Sequence, residues 1–142
     1  MYLPDARVLV TGDLLVNPIT FALSCYPREW VDVLERLDGL DATIIVPGHG
    51  TPLHDKQLLH ATRDVLRILL EKGREARENG LDPDQARDAI MPQLRDLMVK
   101  ITGDDPAMND AFRVQMVDWF LHRVYDELNA PLTDAIGAIP PK

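Results

Sequence analysis

The sequence has little of several features that would identify whole classes of protein. Cys25 is its single cysteine, which excludes an internal disulfide framework and favours a cytosolic setting. No apolar run approaches the roughly 18–20 residues that a helix needs to cross a bilayer. No basic segment followed by an apolar one stands near the N-terminus, so we predict no signal peptide and a cytoplasmic protein, although a longer natural N-terminus could carry a signal.

Positive charge is also scarce. Fifteen Lys and Arg residues face 23 Asp and Glu, which gives a formal net charge of −8. An acidic surface attracts neither phosphate backbones nor anionic lipids, so we expect no nucleic-acid partner and no membrane partner. With 142 residues and 46% hydrophobic content, the chain can build a real core as one domain.

Two short apolar runs each end in a metal-type side chain next to glycine. The first run, 8–13, ends as Thr-Gly-Asp at Asp13, and the second, 43–50, ends as Pro-Gly-His-Gly around His49. Ligands in sheet proteins gather where strands stop and loops begin. The two motifs therefore indicate a binding edge.

The segments around these motifs predict a small α/β arrangement. If the two strands are parallel, their C-terminal ends share an edge and bring Asp13 beside His49, although the two residues are 36 positions apart. The predicted elements are a short arm at Tyr2-Leu3, a strand at 7–11, a loop at 12–27, a helix at 28–38 and a strand at 43–46.

Each motif also has a plain structural interpretation. An aspartate after a buried strand is commonly a turn or cap residue that accepts hydrogen bonds from the backbone. A histidine between two glycines is less often structural, because the glycines allow a sharp turn from which the imidazole projects. Neither residue is assigned to a site by itself.

The arm at Tyr2-Leu3 is short for the partner of so apolar a strand. We interpret it as a sign that the chain begins partway through a fold, or alternatively as an edge strand that closes a small sheet. If the chain does begin partway through a fold, the strand at 8–10 should have an exposed edge with unpaired backbone groups. Such an edge favours dimerisation or poor solubility unless a helix covers it.

The second half of the sequence is helical. Periodic apolar residues and caps predict helices at 55–79, at 82–101 with an interruption or kink around Met91-Pro92, and from Asp105-Pro106 to about 128. The domain boundaries are therefore residues 1–54 for the α/β part, 55–129 for a helical extension packed on it, and 130–142 for a loosely ordered tail.

Taken together, the hairpin, Thr11-Gly12-Asp13-Leu14-Leu15, the helix with Trp30 and Val46-Pro47-Gly48-His49-Gly50 resemble the last two metal-binding motifs of the metallo-β-lactamase superfamily, which includes glyoxalase II-like hydrolases. The resemblance covers roughly residues 2–55. It implies a partial αββα fold in which Asp13 bridges two metal ions and His49 completes the second. Zinc is the metal that the resemblance and these donors favour, with iron or manganese also admissible.

The chain departs from that family pattern in a large way. The His-x-His-x-Asp-His signature and the histidine before the hairpin are absent, and His54, His60 and His122 all follow the last motif. Two ligands cannot build a tight site, since one catalytic zinc usually takes three. We therefore expect weak metal binding or none in this chain alone, and reading the DNA upstream of Met1 for an in-frame signature would test whether the pattern continues there.

The remaining candidates have simpler interpretations. His54 and Asp55 could touch a substrate or support a ligand, but a helix N-terminal Asp is the ordinary role. We expect His60 and His122 to be packing or surface residues. Cys25 lies in the loop at 14–27, with Asn17, Pro18, Phe21 and Tyr26, which could line a substrate cleft; a nucleophilic role would need an activating base that is not evident.

Three functional hypotheses follow. The chain is the C-terminal part of a metal-dependent hydrolase, inactive alone, that acts on a small-molecule substrate once the absent ligands are supplied. Alternatively it is a non-catalytic helical module for interaction or dimerisation, with a possible homodimer through the sheet edge or the helices. The third alternative is a fragment with no function of its own.

Overall fold

The computed structural model describes residues 1–132, and its sheet has three strands. They are β1 (Tyr2–Leu3), β2 (Val8–Gly12) and β3 (Ile44–Pro47), in the spatial order β1-β2-β3. β1 pairs antiparallel with β2, as expected for the hairpin, and β2 pairs parallel with β3. The parallel pairing on which the meeting of the two motifs depends is therefore present.

The expectation that β2 leaves an open edge is wrong. Val8 and Leu9 pair with Leu3 and Tyr2, and Met1 exchanges backbone hydrogen bonds with Val10 at 2.7 and 2.8 Å. β2 is thus the central strand along these three residues, and β1 is the strand at the margin. Because Leu9 is buried between two neighbours, the short arm is sufficient to cover it.

The helices agree with the predicted ones to within about two residues. They are α1 (Pro27–Asp38), α2 (Gln57–Glu78), α3 (Pro83–Thr102), α4 (Pro106–Ala111) and α5 (Trp119–Asn129). Asp82 and Gln85 form the capping box that opens α3, and Gly103 ends it in the left-handed conformation. The predicted tail begins after α5, and its residues 133–142 lie outside the described part.

Two details of the helical half differ from the sequence-based expectation. α3 continues through Pro92, so the predicted interruption is wrong, while the alternative of a kink stays a prediction. Pro92 is exposed, so its ring and missing N–H are accommodated on the solvent side of the helix. The last helix contains a π-helical stretch, Phe112–Asp118, between α4 and α5. The apolar periodicity of this segment does not indicate the change in winding.

A single hydrophobic core joins the sheet to the helices. It includes Leu9 of β2, Trp30 of α1, Leu59 of α2 and Phe120 of α5, all buried. Phe112, Met116 and Val124 of the last helical run are buried too, whereas Leu128 is exposed near the end of α5. Among residues 1–132 no helix combines the length and the apolar character that crossing a membrane requires.

Candidate metal centre

The two metal-type side chains meet at one edge of the sheet. In the parallel register Gly12 lies opposite Pro47, so the chain leaves β2 and β3 side by side. Asp13 follows the first strand and His49 the second. Their Oδ1 and Nε2 atoms lie 3.4 Å apart, as the sequence predicted for parallel strands.

Backbone hydrogen bonds fasten the loops that carry these side chains. The Gly48 N–H donates to the Leu15 carbonyl at 3.0 Å, and the Asn17 N–H donates to the His49 carbonyl at 3.1 Å. The Asn17 side-chain amide also reaches the Thr51 carbonyl at 3.2 Å. Because these bonds run from one motif loop to the other, the two loops form one unit and hold the separation of Asp13 and His49.

The glycines on both sides of His49 permit this close approach. A Cβ atom on Gly48 would lie 2.7 Å from the Gly12 carbonyl carbon and 2.8 Å from the Asp13 nitrogen, which no real side chain tolerates. A Cβ on Gly50 would lie 2.3 Å from the Asn17 carbonyl oxygen, and Gly50 has φ +86°. The Gly-His-Gly motif is therefore needed for packing one loop on the other as well as for the turn.

The Asp13 and His49 side chains are open to solvent and to ligands. Asp13 is 78% and His49 70% exposed. Within residues 1–132 no third His, Cys, Asp or Glu joins them in a group that could hold a metal ion. The described residues thus supply two neighbouring donors and no group of three.

The residues just beyond the second motif do not extend this pair. The Asp55 carboxylate accepts a hydrogen bond from the Gln57 N–H at 2.9 Å, which is the ordinary role of an Asp at a helix N-terminus. His54 is exposed. His122 is exposed on α5, so of the two positions that the sequence predicts for it, packing or surface, it has the second.

His60 takes part in an ion-pair cluster that the sequence did not reveal. Its Nε2 lies 2.7 Å from Asp38 Oδ1, Arg63 pairs with the other oxygen of that carboxylate, and the Lys56 ammonium lies 3.7 Å away. Lys56 also donates to the Asp38 and Leu40 carbonyls, the latter at 2.6 Å. The cluster joins the end of α1 to the start of α2.

The pKa of Asp38 reflects this surrounding. Burial raises it, but the hydrogen bond with His60 and the charges of His60, Arg63 and Lys56 outweigh burial and hold the pKa below its usual value. Asp38 stands at the C-terminal end of α1, where a negative charge opposes the helix dipole. The three basic side chains offset this unfavourable interaction of the Asp38 carboxylate with the helix dipole. We therefore interpret the cluster as a structural one.

A cleft opens directly beside Asp13. Its volume is about 480 Å³, and its wall is mostly apolar, formed by the 14–26 loop and by α1. Leu14, Phe21, Cys25 and Tyr26 line it from the loop, and Trp30 lines it from α1. The loop at 14–27, which the sequence suggests as the wall of a substrate cleft, thus lines an open cleft, and α1 contributes the other wall.

The Trp30 indole fixes one side of this cleft. Its Nε1–H donates to the Leu14 carbonyl at 3.1 Å, so the first turn after Asp13 is tied to α1. Trp30 is buried, apart from its contact with the cleft. A tryptophan in an apolar helix stripe is a core signal in the sequence; only the fold shows that it also shapes the space next to Asp13.

Comparison with known proteins confirms the family resemblance for this part of the chain. Residues 1–49 match the metallo-beta-lactamase superfamily. A linear primary-alkylsulfatase of Pseudomonas sp. (strain ATCC 19151) is 31% identical over 96 residues, which cover 60% of this chain and 18% of the relative. Residues 1–49 are thus similar to part of a metallo-beta-lactamase superfamily domain, and the chain spans about a fifth of the length of this relative.

The fold is compatible with that assignment at a coarse level. A small mixed sheet carries α1 between its parallel strands, and the rest of the described chain is mostly helical. This fits a partial α/β domain followed by helices. The 96 matched residues exceed the 49 of the superfamily match, so the similarity to the alkylsulfatase includes part of the helical half.

Proposed function

We propose that this chain is the C-terminal portion of a metal-dependent hydrolase, in which Asp13 and His49 are two of the metal ligands. The supporting observation is the 3.4 Å separation of Asp13 Oδ1 and His49 Nε2. Two ligand atoms at about 2.1 Å from one tetrahedral zinc ion stand about 3.4 Å apart, so the pair fits such an ion without rearrangement.

The chemistry of the donors agrees with this role. A carboxylate oxygen and an imidazole nitrogen suit zinc, and they also admit iron or manganese. A bound ion would polarise the scissile bond and provide a nucleophilic hydroxide near neutral pH. The chain's own residues hold the geometry: the Gly48–Leu15 and Asn17–His49 hydrogen bonds keep the two donors side by side, and Asp13 borders the cleft.

The two donors of this chain are too few for activity by themselves. A catalytic zinc usually has three protein ligands, and residues 1–132 offer no third donor beside this pair. We therefore propose that the chain alone is inactive and that a further polypeptide segment, in the same or another chain, completes the site.

The cleft suggests the class of substrate. A mostly apolar cavity beside Asp13 suits a small molecule with an apolar group and a hydrolysable bond near the ions. The similar protein from Pseudomonas is named for linear primary alkyl sulfates. We propose an ester with a linear alkyl group as the substrate class of the completed enzyme.

Zinc titration followed by NMR tests the metal role. We expect zinc to perturb the imidazole signals of His49 before those of His122, and Asp13→Ala to weaken the His49 response at least tenfold. His122→Ala is the matched control, because His122 is equally a surface histidine but lies on α5. An unchanged His49 response in Asp13→Ala would remove Asp13 from the site.

The alternative function is a helical interaction or dimerisation module. It is supported by apolar side chains that are exposed on β1 and on the later helices, among them Leu3, Val99, Met108 and Leu128. Light scattering coupled to size exclusion tests it. A monomer at every concentration would contradict a homodimer, and a dimer that persists in Asp13→Ala and His49→Ala would support this module independently of the metal.

A further inference from the structure

The cleft beside Asp13 rests on the last helical run of the chain. Its loop wall includes Phe21 and Cys25, and its helix wall includes Trp30. All three of these residues, or their immediate neighbours, contact the run from Phe112 to Asn129. The helical half is therefore in contact with both walls of the cleft.

The π-helical stretch supplies the first of these contacts. The Trp119 N–H donates to the carbonyls of Val114 and Met116, which are five and three residues earlier. It does not donate to the carbonyl of Gln115, which is four residues earlier. An α-helix would pair that carbonyl with Trp119. Here the Ala22 N–H of the cleft loop donates to it at 3.0 Å. The changed winding thus provides an acceptor for the loop.

Two further contacts continue along the same side of the helical run. The ring of Trp119 stacks on that of Phe21 with centroids 6.0 Å apart. The Arg123 Nε–H donates to the Cys25 carbonyl at 2.9 Å, and the Arg123 side chain is only 13% exposed. The contacting residues 115, 119 and 123 are spaced by four, so they follow one another on one helix face.

The opposite wall is held by the neighbouring face of α5. The rings of Trp30 and Phe120 have centroids 6.2 Å apart at 55°. Both rings are buried. A shift of α5 would consequently move the loop wall and the helix wall together.

We propose that Trp119 and Arg123 are positioning residues that set the depth of this cleft and thereby select the length of the alkyl group it accepts. This rests on the proposed function only in taking the cleft as the binding place of an apolar group. Trp119 supports the loop through Phe21, and Arg123 through the Cys25 carbonyl. Neither residue touches the metal donors, so they act on specificity and not on the reaction.

Calorimetric titration with n-alkyl sulfates from hexyl to decyl, below their micelle concentrations, tests this proposal. While the cleft accommodates added methylenes, affinity should rise about fourfold for each one. The rise should stop at a chain length that the cleft sets. We expect Arg123→Met and Trp119→Leu to move this limit by two carbons or more, and Arg123→Lys, which restores a donor, to return it towards the wild-type length.

The controls separate a local role from a general loss of stability. Arg95→Met removes an exposed arginine of α3 and should leave the limit unchanged. Hydrogen exchange at the Ala22 amide should quicken at least tenfold in Arg123→Met and not in Arg95→Met. If Arg123→Met does not fold, Trp119→Leu and Arg123→Lys provide the comparison. The same limit in all folded variants, or non-saturable binding to the wild type, would overturn the proposal.

Asp13→Ala distinguishes this inference from the proposed function. It should abolish the zinc response of His49 but keep the chain-length limit, because Asp13 makes none of the contacts that join the cleft walls to the last helical run. A normal zinc response together with an unmoved limit in the Trp119 and Arg123 variants would reject only the inference. A shifted limit without any zinc response would reject only the metal role.

Discussion

Two aspartate–histidine pairs in this molecule show how differently the same side chains are used. Asp13 and His49 lie 3.4 Å apart and are 78% and 70% exposed. Asp38 and His60 lie 2.7 Å apart, and Asp38 is 23% exposed. In the described part of the chain the first carboxylate has His49 as its only ion-pair partner, whereas the second is shared by His60, Arg63 and Lys56.

The difference lies in what each pair leaves available. The Asp38 carboxylate is paired with side chains of α2 and of Lys56 just before it, so the cluster fixes one helix to the next. Asp13 and His49 are held by their backbones instead, through the bonds between their loops. A pair positioned by its backbone keeps its side-chain atoms for a ligand, which is what a metal site requires.

The largest effect should come from breaking the first pair through the backbone alone. Gly48→Ala would place a Cβ within 3 Å of the Gly12 and Asp13 backbone. The hydrogen bond from Gly48 to Leu15 keeps the backbone at residue 48 from moving away from this contact. We expect a loss of about 2–3 kcal/mol in the free energy of unfolding, measured by urea denaturation, and loss of the zinc response.

Gly39→Ala is the matched control for that substitution. Gly39 has φ −68°, and a Cβ there would be 3.5 Å from the Arg36 carbonyl, an ordinary contact. Its stability should stay within about 0.5 kcal/mol of the wild type. Equal losses in both variants would contradict the packing role assigned to Gly48.

The second pair should respond to loss of charge with an intermediate effect. Asp38→Asn leaves the partly buried side chains of Arg63 and Lys56 without their anion. We expect the free energy of unfolding to fall by about 1–2 kcal/mol, which is less than for a fully buried ion pair because the cluster is partly solvated. Thermal unfolding of wild type and Asp38→Asn at neutral pH measures this loss of stability.

The pH dependence of that difference follows from the lowered pKa of Asp38. The carboxylate stabilises the fold at every pH above its unfolded pKa of about 3.9, and the contribution disappears as pH falls through the lower folded pKa. The gap between the free energies of unfolding of wild type and Asp38→Asn should therefore narrow as the pH falls below about 4. A gap that widens in acid would contradict the ion-pair assignment.

The smallest stability effects should give the sharpest contrast between the pairs. His49→Ala should change the free energy of unfolding by less than about 0.5 kcal/mol, because its side chain is exposed, yet remove the zinc response. His60→Ala should cost up to about 1 kcal/mol and leave the zinc response of His49 intact. If His60→Ala removed the zinc response and His49→Ala left it intact, the structural and metal-binding roles of the two pairs would have to be exchanged.

Much of the α/β part could be predicted because its signals are local. Strands, the 28–38 helix and their glycine stops follow from apolar runs and turn residues, and the observed bounds differ by about one residue. The metal roles of Asp13 and His49 remain predictions. The prediction of an open edge on β2 was wrong, because a three-residue arm that includes the terminal amine of Met1 is long enough to pair with Val8–Val10.

The features that could not be predicted all depend on distant partners. Asp38 is an ordinary helix-end residue in the sequence, and its importance comes from side chains 18 to 25 positions later. The π-helical stretch was hidden because its apolar residues also fit an α-helical stripe. Its freed carbonyl is meaningful only next to Ala22, more than 90 residues earlier.

The sequence by itself determined the strands and most of the helices to within about two residues, and that a carboxylate and an imidazole follow two apolar strands. These properties depend on neighbours along the chain, through backbone conformation and apolar periodicity. The tertiary structure alone decided that Asp13 and His49 keep their side chains open while Asp38 and His60 do not. Exposure and pairing depend on which elements pack together, and packing is decided by the whole core.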